Sequence, residues 1–158
     1  MDLTVRPATA DDLATLVDLY ATMEPEQTAR KPVWALTDGL DHPVEASIAS
    51  ALSDPDAWFV VGEIDGAAVG MAWGTREPML SRAGERLIGR IRIIYTFPDA
   101  RGVGVGHAML ESLMDGMRAV GITSFDAPVG PGQRDTKNFF EGHGFAARSI
   151  IMHSQDPE

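Results

Sequence analysis

The stretch from Ile93 to Gly106, Ile-Ile-Tyr-Thr-Phe-Pro-Asp-Ala-Arg-Gly-Val-Gly-Val-Gly, constrains this chain more than any other. An apolar β-branched run, a proline-bounded turn, three alternating glycines and then a helical pattern read as a strand, a tight loop and a helix start. Gly102, Gly104 and Gly106 let the backbone take positive φ or come close to a ligand. The first N–H groups of the next helix have no acceptor within it, and its dipole favours negative charge, so the segment reads as an anion site suited to a phosphate.

Spacing separates the phosphate loops that compete for this segment. A P-loop ends in Gly-Lys-Ser/Thr, whereas Gly106-His107-Ala108 supplies neither lysine nor hydroxyl. A dinucleotide fingerprint needs Gly-x-Gly-x-x-Gly; counted from Gly102 the third glycine arrives one residue early, and counted from Gly104 its place is taken by Met109. A plain turn would account for one or two of the glycines, but three at alternate positions before a helix exceed what a connection requires.

The rest of the chain frames that loop. Leu3 to Ala8 reads as a strand, Thr9-Ala10-Asp11-Asp12 resembles a capping box, and Leu13, Leu16, Val17 and Tyr20 form one helical stripe. The pattern breaks between Glu24 and His42, and a second helix is expected from Pro43 to Leu52. Two strands, Trp58 to Ile64 and Ala67 to Trp73, are joined at Asp65-Gly66, a strong hairpin signal. A third antiparallel strand spans Arg86 to Thr96, with Ile91, Ile93, Tyr95 and Phe97 on one face and Arg90, Arg92, Ile94 and Thr96 on the other. Leu110, Leu113, Met114 and Met117 mark a helix ending at Gly121; a parallel strand from Ile122 to Val129, a helix from Gln133 to His143 and a last strand from Phe145 to His153 follow. The expected fold is an α/β (α+β layered) domain with a mixed, mostly antiparallel sheet flanked by helices, in the order β-α-α-β-β-β-α-β-α-β.

At 158 residues the chain is expected to be one domain over 1–158. It has no cysteine, which excludes disulfides, zinc-thiolate sites and cysteine nucleophiles, and no metal site is read from its spacing. A net charge of -10 argues against nonspecific nucleic-acid binding and suits a cationic acceptor. Locally the balance reverses: between Arg82 and Arg101, five arginines stand against only Glu85 and Asp99. With no leader pattern and no apolar run of about 20 residues, a cytoplasmic protein without membrane partners is the expectation.

Arg101-x-x-Gly104-x-Gly106 after a strand ending Thr96-x-Pro98 resembles the pyrophosphate loop of the GNAT superfamily of acyl-CoA-dependent N-acyltransferases. Asn138-Phe139-Phe140-Glu141 followed by Gly144-Phe145 is similar to that family's last helix and its exit. The resemblance implies acetyl-CoA as co-substrate, with its pyrophosphate on the backbone of Gly102, Val103, Gly104, Val105, Gly106 and His107, and with Arg101 bracing the loop or reaching a phosphate. It also implies that the strand before the loop and the one after its helix splay apart. Ile94, Tyr95 and Thr96 would bulge to pair with pantetheine, the Thr96 N–H serving as catalytic oxyanion donor. Gln133 falls where the family commonly carries an asparagine that contacts the cofactor arm, and Glu24, Glu26, Trp34 or His42 would come near the acceptor. From the residues alone, Trp34 as a lid over the core and solvated acids are the preferred reading.

Many family members use a tyrosine as acid where this chain has Phe140, and neither Tyr95 nor His143 is an evident replacement. Two functions therefore compete. One is an N-acetyltransferase acting on a primary amine of a small molecule or peptide by direct attack; the other is an acyl-CoA-binding regulatory module with little transfer. A homodimer is a further expectation, with the final strand as a pairing edge.

Overall fold

A computed structural model describes residues 1–31, 33–34, 38–78 and 86–157. Five strands form one sheet in the spatial order β1 (Leu3–Pro7), β2 (Ala57–Ile64), β3 (Ala67–Pro78), β4 (Leu87–Thr96) and β5 (Phe125–Asp126). The first four pair antiparallel, and β5 joins β4 in parallel. One face carries α1 (Leu13–Arg30) and α2 (Val44–Ser53), which bury Leu16, Leu19, Tyr20, Met23 and Ile48 against Phe59, Val61, Met71, Ile93 and Tyr95. The other carries α3 (Val105–Arg118) and α4 (Arg134–Glu141), where Met109, Leu110, Leu113 and Met117 meet Val60, Ala72 and Ile91.

Helix α3 rides low on the sheet because glycines lie beneath it. A Cβ at Gly62 would stand 2.7 Å from Val105 Cγ1, and one at Gly70 would stand 2.9 Å from Met109 Cε. A side chain at Gly62 would lift the helix and with it the loop at its N-terminus, whereas at Gly70 the nearer obstacle is the Tyr95 carbonyl of the neighbouring strand at 2.7 Å.

Four sequence expectations are corrected. First, α1 does not stop at Glu24: it runs through Pro25 to Arg30, where the Lys31 N–H still donates to the Gln27 carbonyl at 2.9 Å. An interior proline costs about 3 kcal/mol, which the burial of Leu16, Leu19, Tyr20 and Met23 in the same helix outweighs. Second, the irregularity in β4 lies at Arg92, because Trp73 pairs with Ile93 while Gly74 pairs with Ile91. Ile94 to Thr96 stays in regular register with Ala72 to Gly70. The extra residue reverses the alternation, so Ile91 packs under α3 while Ile93 and Tyr95 pack under α1.

Third, the parallel strand is two residues long, Phe125–Asp126, rather than running from Ile122 to Val129. Fourth, the final strand does not form: Phe145 closes on Phe140 with ring centroids 5.0 Å apart, and 146–157 is exposed and outside the sheet. Ile150, Ile151 and Met152 have the β-branched and apolar character of a strand, but so short a β5 offers almost no ladder to pair with. β3 continues past Trp73 as far as Pro78, and 79–85, including Arg82 and Glu85, lies outside the described residues.

Both arginines of β4 lie near Glu77, Arg92 hydrogen-bonded and Arg90 only in longer-range attraction, its buried Nε without a hydrogen-bond partner among the described residues. Arg92 pairs with Glu77, donates to Thr75 Oγ1 at 3.0 Å and lies 5.4 Å from the Trp73 ring centre; Arg90 Nε is 3.9 Å from Glu77. At the start of the chain Arg6 grips Asp12 through two bonds of 2.8 and 2.7 Å, and Asp12 also accepts the Thr9 N–H at 2.8 Å. These donors hold the Asp12 carboxyl down at about 2, chiefly through the Arg6 hydrogen bonds. The folded form thus keeps the carboxylate ionised below the unfolded value, so its contribution is complete above about pH 4 and lost as pH falls towards 2. Acid unfolding monitored by circular dichroism should show an Asp12→Asn variant losing about 1 kcal/mol of stability at pH 7, with Arg6 half exposed, and losing little at pH 2.

Candidate functional site

Beyond Arg90 and Asp126 the two parallel strands no longer pair, while β4 continues to Thr96. A cleft of about 410 Å³ opens there, lined among others by Ile94, Tyr95, Thr96, Arg101, Gly104 and Phe139. Its backbone chemistry follows from the β3–β4 ladder. The Phe97 N–H donates to the Val69 carbonyl at 2.9 Å, so by antiparallel alternation the N–H and C=O of Ile94 and Thr96 point away from β3 and towards the cleft. The Thr96 carbonyl is taken by Arg101 Nε at 2.8 Å, and the Thr96 N–H remains directed into the opening.

The opposite wall is the glycine loop. Gly102 and Gly104 have φ of 85° and 97°, a region that disfavours other residues, and Gly104 caps α3 in the left-handed conformation. The helix's own ladder begins with the Ala108 N–H on the Gly104 carbonyl at 3.0 Å, which leaves the N–H groups of Val105, Gly106 and His107 without acceptors inside α3. Gly106 differs from these two: its φ is not positive, and a Cβ there would only touch the Phe139 ring at 3.4 Å, an ordinary contact.

Of the residues singled out in the sequence, Ile94, Tyr95, Thr96, Arg101, Gly102, Gly104, Val105, Gly106 and His107 line this cleft. Val103 does not, and its side chain is exposed. Gln133 also stands behind the lining, buried, with Oε1 accepting the Gly130 N–H at 2.7 Å and Nε2 donating to Gln27 Oε1 at 2.5 Å. Trp34 is buried beside Tyr20 with ring centroids 6.2 Å apart, and His42 pairs with Glu24 at 3.3 Å. Phe140 is buried against Phe139 and Phe145 and brings no proton to the cleft.

Sequence reasoning missed Gln27 and Arg30 on one wall and Asp135, Thr136 and Phe139 on another, while Glu26, named there as near the acceptor, lies beside the cleft against Tyr95. Continuing the α1 spacing from Tyr20 through Met23, Gln27 and Arg30, at three and four residues, would have pointed to two of them. Glu26 is the centre of a polar cluster: Oε2 accepts the Tyr95 hydroxyl at 3.1 Å, and Oε1 accepts Arg101 at 2.8 Å and lies 3.3 Å from Arg30. Arg101 also lies 5.4 Å from the Tyr95 ring centre. Burial and the adjacent carboxylate push the Tyr95 hydroxyl up to about 12, so it holds its proton at neutral pH.

A mixed sheet that parts beside a row of helix amides belongs to a domain that seats a phosphate-bearing co-substrate between its strands. Residues 13–145 match the acetyltransferase (GNAT) family, and the chain belongs to that family. It is an acyl-CoA-dependent acetyltransferase, with acetyl-CoA as co-substrate. No curated protein matches the sequence.

Solved structures of the same fold include a transcriptional regulator from Bacillus halodurans C-125, with TM-score 0.77 and 21% identity over 98% of this chain and 100% of that one. Another is AAC(6')-Iy in complex with the bisubstrate analogue CoA-S-monomethyl-acetylneamine, with TM-score 0.78 and 14% identity over 99% of both chains. A third is a ribosomal-protein-alanine N-acetyltransferase from Brucella melitensis biovar Abortus 2308, with TM-score 0.71 and 18% identity over 99% of this chain and 100% of that one.

A side chain at Gly104 meets no protein atom within 4 Å, so its cost lies in the backbone conformation and in the space a phosphate would use. Calorimetric titration should find that Gly104→Val binds acetyl-CoA at least about tenfold more weakly while remaining folded by circular dichroism.

Proposed function

We propose that this protein transfers an acetyl group from acetyl-CoA to a primary amine of a small molecule or peptide by direct attack. The observation that carries the reading is the facing of two backbone donor sets across one cleft: the Thr96 N–H on β4 and the N–H groups at the start of α3. In this reading the pyrophosphate rests on the amides from Gly102 to His107, and the pantetheine arm pairs with the exposed polar groups of Ile94 and Thr96. Arg101 braces the loop by tying β4 to α1 through the Thr96 carbonyl and Glu26.

The chemistry then follows from what surrounds the thioester. A neutral amine attacks the carbonyl carbon, forming the C–N bond as the C=O electrons move onto oxygen. The Thr96 N–H stabilises that oxygen. Collapse restores the carbonyl and expels the CoA thiolate, a tolerable leaving group that takes its proton from water. The nitrogen must also shed a proton, and in this reading it goes to the Tyr95–Glu26 pair, in which the Tyr95 hydroxyl donates to Glu26 at 3.1 Å and keeps its lone pairs free to accept. It can accept from the ammonium while passing its own proton to Glu26.

The net charge of -10 favours approach of a cationic amine. The second reading, binding without fast transfer, draws on the burial of Phe140 where a tyrosine acid is common in the family. Thiol release from acetyl-CoA in the presence of a panel of small amines and peptides separates the two. Amine-dependent release above hydrolysis supports transfer; acetyl-CoA binding with no release across the panel supports the binding module. Tyr95→Phe should lower kcat about 10²-fold with acetyl-CoA affinity nearly unchanged, measured by steady-state kinetics beside calorimetry.

A further inference from the structure

His107 and His143 meet at the mouth of the cleft, His107 Nδ1 standing 2.7 Å from His143 Nε2 with ring centroids 4.9 Å apart. Glu111, one turn further along α3 than His107, adds a carboxylate, and the three side chains present ligand atoms that all lie within 4.8 Å of one another. No ion pair among the described residues claims the Glu111 carboxylate. We infer that His107, Glu111 and His143 form a binding site for a d-block divalent cation of the Zn²⁺ class.

Hydrogen bonding sets up the donors. His143 Nδ1 is 2.7 Å from the Phe139 carbonyl, which can only accept, so Nδ1 carries the proton and Nε2 presents its lone pair towards His107 and Glu111. A ring N–H held by a backbone carbonyl while the other nitrogen faces the ion is the usual outer support of a metal-bound histidine. In that contact His107 Nδ1 is the donor, so it becomes a ligand once its proton has moved to Nε2 of its own ring or been released and the contact to His143 has opened. Ligands about 2.0–2.2 Å from a tetrahedral zinc stand roughly 3.4 Å apart, so the two nitrogens need to separate by less than about 1 Å. Glu111, on a flexible side chain at the i+4 position, closes from the third side.

Two imidazoles and one carboxylate select zinc and its neighbours in the first transition row over magnesium or calcium, which prefer all-oxygen sets. Three protein ligands leave a fourth position open, and since His107 and His143 line the cleft, that position faces it. A water or an anionic oxygen of a molecule in the cleft would complete the shell. A bound ion would also join the first turns of α3 to the end of α4, the two elements that close around the glycine loop.

The test is calorimetric titration of the chelator-treated full chain with Zn²⁺ in a non-coordinating buffer at pH 7.5, without acetyl-CoA, so that its result is independent of the transfer reaction. The expected result is one ion per chain at micromolar affinity or tighter, weakened at least about tenfold in both His143→Ala and Glu111→Gln. His143→Ala also removes the bond to Phe139, so its fold is checked by thermal unfolding. Glu111→Gln touches no such bond and decides the matter alone if the histidine variant fails to fold. Absence of Zn²⁺ binding, or affinity unchanged by Glu111→Gln, would overturn the assignment.

Discussion

Two residue pairs hold β4 and β5 together, and everything functional in this protein depends on their stopping there. Had β5 continued beside Ile94 to Thr96, the outward N–H and C=O groups of those residues would have been consumed by the sheet. Because it ends at Asp126, the same groups face a cleft whose far wall is the start of α3. The sheet thus leaves the outward groups of Ile94 and the Thr96 N–H outside its ladder, next to amides that a helix cannot satisfy internally, while Arg101 takes the Thr96 carbonyl. A pantetheine phosphate has the chemistry to use both.

The seat of α3 is the second requirement. Its close approach to Gly62, where a Cβ would stand 2.7 Å from Val105 Cγ1, sets the height of the glycine loop, and Phe139 of α4 packs beside Gly106. From the opposite side of the sheet, Glu26 reaches the β4 end and ties Tyr95 and Arg101 together. One carboxylate therefore links α1, the strand that would hold the thioester and the loop that would hold the phosphates. The link exists only because α1 continues past Pro25.

Much of this was legible in the residues, and the exceptions share a cause. The glycine loop could be read because positive φ at Gly102 and Gly104 leaves a direct mark on residue choice, and the Asp65-Gly66 hairpin for the same reason. The faces of β4 could not, because a bulge at Arg92 is a property of two strands in register and neither strand's composition announces it. The exposed end at Ile150 to Met152 has a strand's sequence without a strand's partner. Pro25 was misread because local cost was weighed without the tertiary burial that outweighs it. Gln133, placed by resemblance on the cofactor arm, turns its amide to Gly130 and Gln27.

The central claim is that the backbone amides of the β4 end and of the glycine loop jointly receive acetyl-CoA. Amide hydrogen exchange resolved to single residues, with and without saturating acetyl-CoA, tests it most directly. The account predicts slowed exchange at Thr96 and across Gly102 to His107 together, with little change in the remote β1–β2 edge. Acetyl-CoA binding that leaves these amides exchanging as before would contradict it.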